Sequence, residues 1–323
     1  MNRKTRPWSR DLKAVVEAEP DPERGLPRES QTFEGEALAV RYANFVRLPH
    51  TVFALPFALL GVVYASTVQA VTVTQGVLVI AAFAAARFVA MGFNRIVDRD
   101  LDARNPRTRG RELPSGRLSN TQAGVSIVVA GAVFVLCAGL LNRLCILLSP
   151  LALLWICLYS YTKRWTGWSH LWLGFSLAIA PVGGYLAVTG AWSEPAWTLL
   201  TLAAAVALWV GGFDVFYALQ DEGFDRAQGL RSAVVWLGAQ RAILAAKLGH
   251  GLTLVLLVAF GIGAGLGWVY YSGVAVAAGL LGWEHRLVQP GNLSRLDAAF
   301  FTMNGVISIV VFLGALGDRL WSR

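Results

Sequence analysis

The chain has 323 residues, of which 55% are hydrophobic and only 15% charged, and its net charge is +8. Soluble domains carry roughly 25% charged residues, so this composition excludes an ordinary cytosolic globule and predicts a multi-pass membrane protein. Loops beside anionic lipid headgroups explain the positive charge, and we therefore expect contact with membrane lipid and no nucleic-acid partner.

The first 38 residues alternate basic and acidic side chains, include Pro20, Pro22 and Pro27, and lack the apolar core of a signal peptide. Such a segment buries too little apolar surface to fold by itself. We expect residues 1–38 to form a disordered cytoplasmic tail and residues 39–323 to form the membrane domain.

Nine apolar runs follow the tail. A helix needs about 20 apolar residues to cross the hydrocarbon core of a bilayer, whereas a membrane β-barrel would show short strands of alternating polarity. The runs therefore predict an all-α bundle of nine transmembrane helices. The predicted spans are residues 46–66, 75–94, 119–141, 144–162, 168–189, 196–216, 241–265, 267–288 and 297–318.

Lysines and arginines are distributed unevenly between the two ends of these spans. Of the 28 in the chain, all but four lie in the N-terminal segment, in the loops that follow even-numbered spans, or within seven residues of these regions. Arg143, Arg319 and Arg323 lie at the opposite end, and Arg87 lies inside a span. Because cytoplasmic loops are enriched in Lys and Arg, we expect the N-terminus and the basic loops on the cytoplasmic side.

The loop after the second predicted span carries Asn94, Asp98 and Asp102, each four residues after the one before. On a helix that continues out of the span, this spacing stacks the three side chains along one face. Asp100 points elsewhere, and we expect it to be solvated. A single acidic pair at a helix end is more often solvated surface than a metal site. A metal site is therefore predicted only if a second acidic cluster lies at the same end of the bundle.

The second acidic cluster follows the sixth predicted span, where Asp221 and Asp225 are again four residues apart. Both clusters end even-numbered spans, so they can face each other. Like charges about 4 Å apart cost on the order of 4 kcal/mol near a protein surface, and a divalent cation removes that cost. Oxygen ligands without His or Cys favour Mg²⁺, which shares its shell with substrate phosphates. We predict a magnesium diphosphate site whose metal-binding and catalytic residues are Asn94, Asp98, Asp102, Asp221 and Asp225.

Basic residues at the same end supply the additional countercharge that a diphosphate needs. Tyr159 and Lys163 lie one helical turn apart at the end of the fourth span, and Arg164 follows them. Arg111 and Arg231 lie in the loops after the two acidic clusters. We predict that these five residues bind the diphosphate.

Arg87 lies two helical turns before Asn94, inside the second span, where an unpaired charge is costly. We expect it to point into the same cavity and to contact an acidic partner or the acidic group of an acceptor. A buried structural ion pair is equally compatible with its position. The histidines His170, His250 and His285 show no metal-site spacing, and the sequence assigns them no role.

Together these motifs resemble those of the UbiA superfamily of intramembrane prenyltransferases. The NxxxDxxxD, DxxxD and YxxxK motifs of that family correspond here to Asn94-Asp98-Asp102, Asp221-Asp225 and Tyr159-Lys163. The resemblance implies a nine-helix bundle in which Mg²⁺, held by the aspartates, binds a polyprenyl diphosphate. It also implies that the allylic C–O bond ionises and that an electron-rich aromatic ring attacks the carbocation.

The resemblance extends to branches of the family that prenylate a small aromatic acid in quinone biosynthesis. We expect a 4-hydroxybenzoate-type acceptor of the ubiquinone route, and the alternative is a dihydroxynaphthoate of the futalosine route to menaquinone. Arg87 and Arg47 are candidate partners of the acceptor carboxylate, and His50 and Asp214 are candidate residues of the acceptor pocket. The enzyme would lie in the bacterial cytoplasmic (inner) membrane with its active site on the cytoplasmic side.

Two other functions remain open at this point. Members of the superfamily that act in haem, chlorophyll and archaeal lipid synthesis use the same motifs. A multi-pass membrane transporter would also combine charges with apolar helices, but it predicts ionisable residues near the centres of several spans. Only Arg87 lies deep in this sequence, which favours an enzyme.

Overall fold

In a computed structural model, the structure describes residues 33–288 and 303–321, apart from the side chains of residues 49–53. Over these residues the chain forms helices joined by turns and contains no β-strand, as the apolar runs predict. The helices are α1 Leu38–Phe45, α2 Pro49–Ala65, α3 Val73–Val97, α4 Arg99–Arg104, α5 Asn120–Leu141, α6 Arg143–Trp165, α7 Ser169–Thr189, α8 Ala196–Ala218, α9 Glu222–Ala227, α10 Ala233–Leu237, α11 Ala239–Gly263, α12 Trp268–Leu287 and α13 Asn304–Trp321.

Seven helices in the described part of the chain are long and apolar enough to cross a membrane: α3, α5, α6, α7, α8, α11 and α13. They correspond to seven of the nine predicted spans. The first and eighth predicted spans correspond to α2, which has 17 residues, and to α12, whose last turn is polar. The protein is an integral membrane protein of all-helical fold, and the count of nine spans stays a prediction.

Capping residues explain where several long helices begin. Thr72 and Gln75 exchange hydrogen bonds at the start of α3, and Ser119 and Gln122 do the same at the start of α5. The side-chain oxygen of Asn142 accepts a hydrogen bond from the N–H of Cys145 in the first turn of α6. Each cap satisfies backbone donors that have no partner inside the helix.

Both acidic motifs lie where a long helix stops and a short one begins. Asp98 separates α3 from α4, and Asp221 lies between α8 and α9, with φ and ψ of −95° and 5° for Asp98 and −101° and 3° for Asp221. The N–H groups of Asp102 and Asp225 donate to the carbonyls of these two residues at 2.8 Å. The predicted uninterrupted helix through the first motif is therefore wrong, since α3 ends before Asp98, but the one-turn spacing of the carboxylates is kept.

Helix α8 packs between α7 and α11 and is the most buried of the seven apolar helices. Glycines of α7 allow close approach on both sides of that helix. A Cβ on Gly174 would lie 2.1 Å from the carbonyl oxygen of Ala207 on α8, and a Cβ on Gly184 would lie 2.1 Å from that of Ala58 on α2. Small residues at such contacts favour helix association in lipid, where packing replaces the hydrophobic effect. This packing of α2, α7 and α8 fixes the position of Asp214 on α8.

The segment before α1 is held against the bundle from Phe33 onward. The backbone N–H and C=O of Phe33 form hydrogen bonds of 3.0 and 2.9 Å with the side chain of Asn44. Arg41 donates to the carbonyl oxygen of Arg117 at 3.1 Å, so this segment lies at the same end of the bundle as the loop after α4. Residues 1–32 lie outside the described part of the chain, and the disorder of the tail stays a prediction.

Candidate active site

The two acidic motifs meet at one end of the bundle. The amide of Asn105, which follows α4, donates to Asp221 Oδ1 at 3.2 Å, and Arg104 donates to Gln228, which follows α9, at 2.9 Å. These contacts join residues 116 and 124 positions apart. The structure therefore places both motifs at the same end, as the order of the spans predicts.

Asp98 lies at the centre of a charged cluster and exposes only 3% of its surface. One of its oxygens lies 2.5 Å from Lys163 Nζ, and the other lies 3.0 Å from an Arg164 guanidinium nitrogen. Asn94 donates a third hydrogen bond of 3.1 Å. A buried carboxylate is costly unless it is paired, and the end of α6 supplies both cations. The first motif thus shares one cluster with two of the predicted diphosphate-binding residues.

Asp102 is also buried, but only one of its two carboxylate oxygens accepts a hydrogen bond among the described residues. Its Oδ1 lies 2.6 Å from Arg111 Nη1, and its Oδ2 lies 3.9 Å from Arg95 Nη1. Within the described residues, Oδ2 is buried and accepts no hydrogen bond. Leaving a buried acceptor without a donor costs free energy, and a bound cation is a group that would satisfy this oxygen.

Asp221 is held by Arg107. The Nε of Arg107 lies 3.0 Å from Asp221 Oδ1, a second guanidinium nitrogen bonds Oδ2, and the third donates to the hydroxyl of Tyr217 at 2.8 Å. Asp225 forms no side-chain hydrogen bond or ion pair within the described residues. Burial and the neighbouring charge of Asp221 raise the pKa of Asp225 to about 6. A cation bound beside Asp225 would favour its charged form.

A cavity of about 870 Å³ extends from this charged cluster into the bundle. Most of its wall consists of Ala, Val, Leu and Phe side chains. Polar and charged residues of its wall include Asn94, Arg95, Arg111, Tyr159, Asp214 and Tyr217. Three further wall residues are among the exposed large apolar side chains, namely Leu148, Leu151 and Phe175. The cavity thus combines charged and polar residues with a largely apolar wall.

Three of the four predicted acceptor residues line this cavity: Arg87, Arg47 and Asp214. Asp214 Oδ2 lies 2.6 Å from Nδ1 of His170, which comes from the first turn of α7. The side chain of His50, the fourth predicted residue, lies outside the described residues.

Arg231 is not brought into the charged cluster. It is exposed, its backbone N–H donates to the carbonyl of Lys163 at 2.7 Å, and its guanidinium donates to the carbonyl of Trp165 at 2.8 Å. Both carbonyls belong to the last turn of α6, where C=O groups have no partner inside the helix. Arg231 therefore caps the helix that carries Lys163, and it is not among the residues that line the cavity.

Three residues of the site belong to none of the sequence motifs: Asn105, Arg107 and His170. Residues 94–119 contain seven arginines, and no spacing marks Arg107 as the one that binds Asp221. Pro106 predicts a turn at this place without indicating which neighbour points inward. His170 and Asp214 are 44 positions apart, and their contact depends on how α7 packs on α8.

The donor set fits Mg²⁺ in its chemistry, because the two motifs offer only oxygen ligands. Among the described residues, Oδ2 of Asp102 accepts no hydrogen bond and the carboxylate of Asp225 has no ion-pair partner. Over the described ranges, no group of three or more Asp, Glu, His or Cys side chains is arranged around one point. Mg²⁺ commonly takes one or two carboxylates from the protein and completes its shell with water and substrate phosphates. A pair of aspartates is therefore sufficient.

The sequence is similar to that of known proteins over most of its length. It matches the model of the UbiA prenyltransferase family over residues 54–306. It is 32% identical over 240 residues to a 4-hydroxybenzoate octaprenyltransferase of Nitrosococcus oceani, with 73% of this chain and 81% of that protein covered. It is 34% identical over 226 residues to a protein of the same name from Alkalilimnicola ehrlichii, with 70% and 75% covered.

The fold is likewise similar to solved structures. An apo structure of a UbiA homolog from Aeropyrum pernix K1 has a TM-score of 0.76 and 32% identity, covering 83% of this chain and 98% of that one. A UbiA homolog from Archaeoglobus fulgidus bound to GPP and Mg²⁺ has a TM-score of 0.65 and 18% identity, covering 87% and 99%. At that identity the second likeness shows a shared fold.

The family match includes the first motif, the α6 element and the second motif, which lie between residues 54 and 306. It confirms the family that the three motifs predict, and it confirms an enzyme rather than the transporter alternative. The protein is a polyprenyltransferase, and the chain belongs to the UbiA prenyltransferase family.

Proposed function

We propose that this polyprenyltransferase moves a polyprenyl group from a polyprenyl diphosphate to a small aromatic acid in quinone biosynthesis, with 4-hydroxybenzoate as the acceptor. The cavity is the observation that carries the proposal, because it joins a cluster of carboxylates and cations to a long apolar space. A polyprenyl diphosphate has the same division into a charged head and an apolar chain. Relatives at 32% and 34% identity are named for 4-hydroxybenzoate, which supports this acceptor.

The aspartates of the two motifs would hold Mg²⁺ beside the diphosphate. When bound, the metal neutralises charge that develops on the diphosphate as the allylic C–O bond ionises. The residues that would supply its ligands are Asn94, Asp98, Asp102, Asp221 and Asp225. Lys163 and Arg164 now pair with Asp98, and Arg111 pairs with Asp102. These three cations lie where they can exchange carboxylate partners for diphosphate oxygens.

The acceptor carboxylate needs a cation within an otherwise apolar cavity. Arg87 lines the cavity from α3, two turns before Asn94, which places it about 10 Å further along the helix axis. Arg47 lines the cavity from the turn after α1. We assign these two arginines to the carboxylate of the aromatic acid. In that position the ring lies beyond the diphosphate, alongside the apolar chain.

The location of the protein follows from the substrates and the charge distribution. A polyprenyl chain is as apolar as lipid, so it reaches the cavity from within the bilayer. The excess of Lys and Arg in the loops around the charged cluster supports a position for that cluster on the cytoplasmic side of a bacterial inner membrane.

The experiment is a prenyl-transfer assay with membranes that contain the protein. Radiolabelled geranyl diphosphate and Mg²⁺ are supplied with 4-hydroxybenzoate in one arm and 1,4-dihydroxy-6-naphthoate in another. We expect a labelled benzoate product that disappears with EDTA and returns when Mg²⁺ is restored. Product on the naphthoate alone would show that the acceptor is the dihydroxynaphthoate of the menaquinone route. Activity that survives chelation by EDTA would remove Mg²⁺ from the proposal. Folded protein that prenylates neither acid would overturn the assignment of the acceptor.

A further inference from the structure

We propose that Asp214, oriented by His170, is the base that takes the proton released by the aromatic acceptor. The proposal deepens the proposed function and rests on it, because it concerns the acceptor of the same site. Asp214 is the only acidic residue among the described residues that line the cavity. The aspartates of the two motifs lie in the charged cluster instead, where Asp98, Asp102 and Asp221 are paired with cations.

The contact with His170 fixes how Asp214 presents its carboxylate. Oδ2 of Asp214 lies 2.6 Å from Nδ1 of His170, a distance typical of a strong, charge-assisted hydrogen bond. Oδ1 takes no hydrogen bond from any described residue. One carboxylate oxygen is thus held by the protein, and the other is left for a group inside the cavity.

The surroundings of His170 favour an imidazole that donates from Nδ1. His170 exposes 7% of its surface, and its Nε2 is buried without a hydrogen-bond partner among the described residues. A proton on Nε2 would therefore be buried without an acceptor, which costs free energy. We assign the proton to Nδ1, which donates it in the hydrogen bond to the Asp214 carboxylate.

Asp214 and Arg87 reach the cavity from two different helices. Asp214 lies on α8 one helical turn before that helix ends at Ala218, and Arg87 lies on α3 two turns before Asn94. Both side chains line one cavity. An acid whose carboxylate contacts Arg87 can place its hydroxyl-bearing end toward Asp214.

The step balances as follows. The allylic C–O bond of the prenyl diphosphate breaks, and its electron pair leaves with the diphosphate. A π pair of the acceptor ring forms the new C–C bond at the carbon next to the hydroxyl. The C–H electron pair at that carbon returns to the ring, and the proton passes to Oδ1 of Asp214. The departing diphosphate then takes this proton out of the site.

The test compares variants in the prenyl-transfer assay with 4-hydroxybenzoate and with the same acid deuterated at both carbons next to the hydroxyl. In Asp214→Asn, we expect kcat to fall by about 100-fold or more, because a general base typically contributes at least about 100-fold to the rate. The KM values for the prenyl diphosphate and for the acid should change little. Proton loss then limits turnover, so deuterium slows this variant more than it slows the wild type. Asp100→Asn, an exposed aspartate in α4, is the matched control and keeps wild-type kinetics.

His170 is a positioning residue in this scheme, and two variants separate its role from packing. His170→Asn keeps a hydrogen-bond donor near the place of Nδ1 and should retain most of kcat. His170→Leu removes the donor, so kcat should fall and the deuterium isotope effect should rise as in Asp214→Asn. Unfolding temperatures in detergent identify variants that fail to fold. If Asp214→Asn does so, Asp214→Glu replaces it, and its shifted carboxylate should restore part of the activity.

Two results would overturn the proposal while leaving the proposed function intact. The first is a raised KM for the acid with unchanged kcat in Asp214→Asn, which would make the residue a binding contact. The second is an equal isotope effect in wild type and variant. Failure of the wild-type protein to prenylate any aromatic acid is a different outcome, because it would remove the proposed function and this inference together.

Discussion

Lys163 and Asp98 form an ion pair of 2.5 Å between the end of α6 and the break after α3. Arg164 supplies a second cation 3.0 Å from the other carboxylate oxygen. The pair joins the YxxxK element to the first acidic motif, 65 positions earlier in the chain. Mg²⁺ would compete with Lys163 for the carboxylate and a diphosphate would compete with Asp98 for the ammonium, so substrate binding and the opening of this ion pair are coupled.

Replacing Lys163 by Met keeps the length of the side chain and removes its charge. We expect the KM for prenyl diphosphate to rise about tenfold or more, because a hydrogen bond to a charged group contributes roughly 1.5–3 kcal/mol. Arg164 still balances Asp98, so the unfolding temperature should change little. Lys247→Met, at an exposed position on α11, is the control. A KM equal to that of the wild type would contradict the assignment of Lys163 to the diphosphate.

Asp98→Asn removes one negative charge from the centre of the cluster and nearly preserves its shape. Loss of a partner outside the metal shell typically costs 10–100-fold in affinity or activity, and loss of a ligand should cost about 100-fold or more. Asp100→Asn, two residues away and exposed, should keep full activity. Turnover and the stabilisation of the protein by Mg²⁺ with diphosphate in thermal unfolding are the two measurements. Unchanged stabilisation in Asp98→Asn would exclude this carboxylate as a ligand.

Arg107→Lys keeps the charge beside Asp221 and loses the planar fork that contacts Asp221 and Tyr217 together. Lysine provides a single point charge and is a poor substitute at such a position. We expect kcat to fall about tenfold or more, because Asp221 is no longer held toward the first motif. Arg109→Lys in the same loop is exposed and serves as the control. Equal kinetics for the two variants would show that the fork does not position Asp221.

Two adjacent glycines of α7 separate the effect of packing from that of helix propensity. A Cβ on Gly184 would lie 2.1 Å from the carbonyl oxygen of Ala58, whereas a Cβ on Gly183 would meet nothing within 4 Å. Gly184→Ala should therefore destabilise the protein by about 1–3 kcal/mol, as overpacking typically does. Gly183→Ala should unfold at or above the wild-type temperature in detergent. If both variants unfold together, close contact between α2 and α7 is not a source of stability.

The amino-acid sequence by itself determined the class of the protein, the positions of seven membrane helices and the place of both acidic motifs. These features are local: an apolar run of sufficient length forms a helix in lipid, and charged residues collect where the run ends. The family also follows from local spacing, since Asn94, Asp98 and Asp102 keep their one-turn separation although α3 stops before Asp98.

Only the tertiary structure decided which charges are partners. Arg107 rather than another of the loop arginines holds Asp221, Arg231 caps α6 instead of joining the cluster, and His170 meets Asp214 across two helices. Each of these contacts joins residues 44 to 114 positions apart. Nothing in the local pattern specifies them, because a salt bridge or hydrogen bond depends on distance and angle, and the packing of the helices against each other sets both.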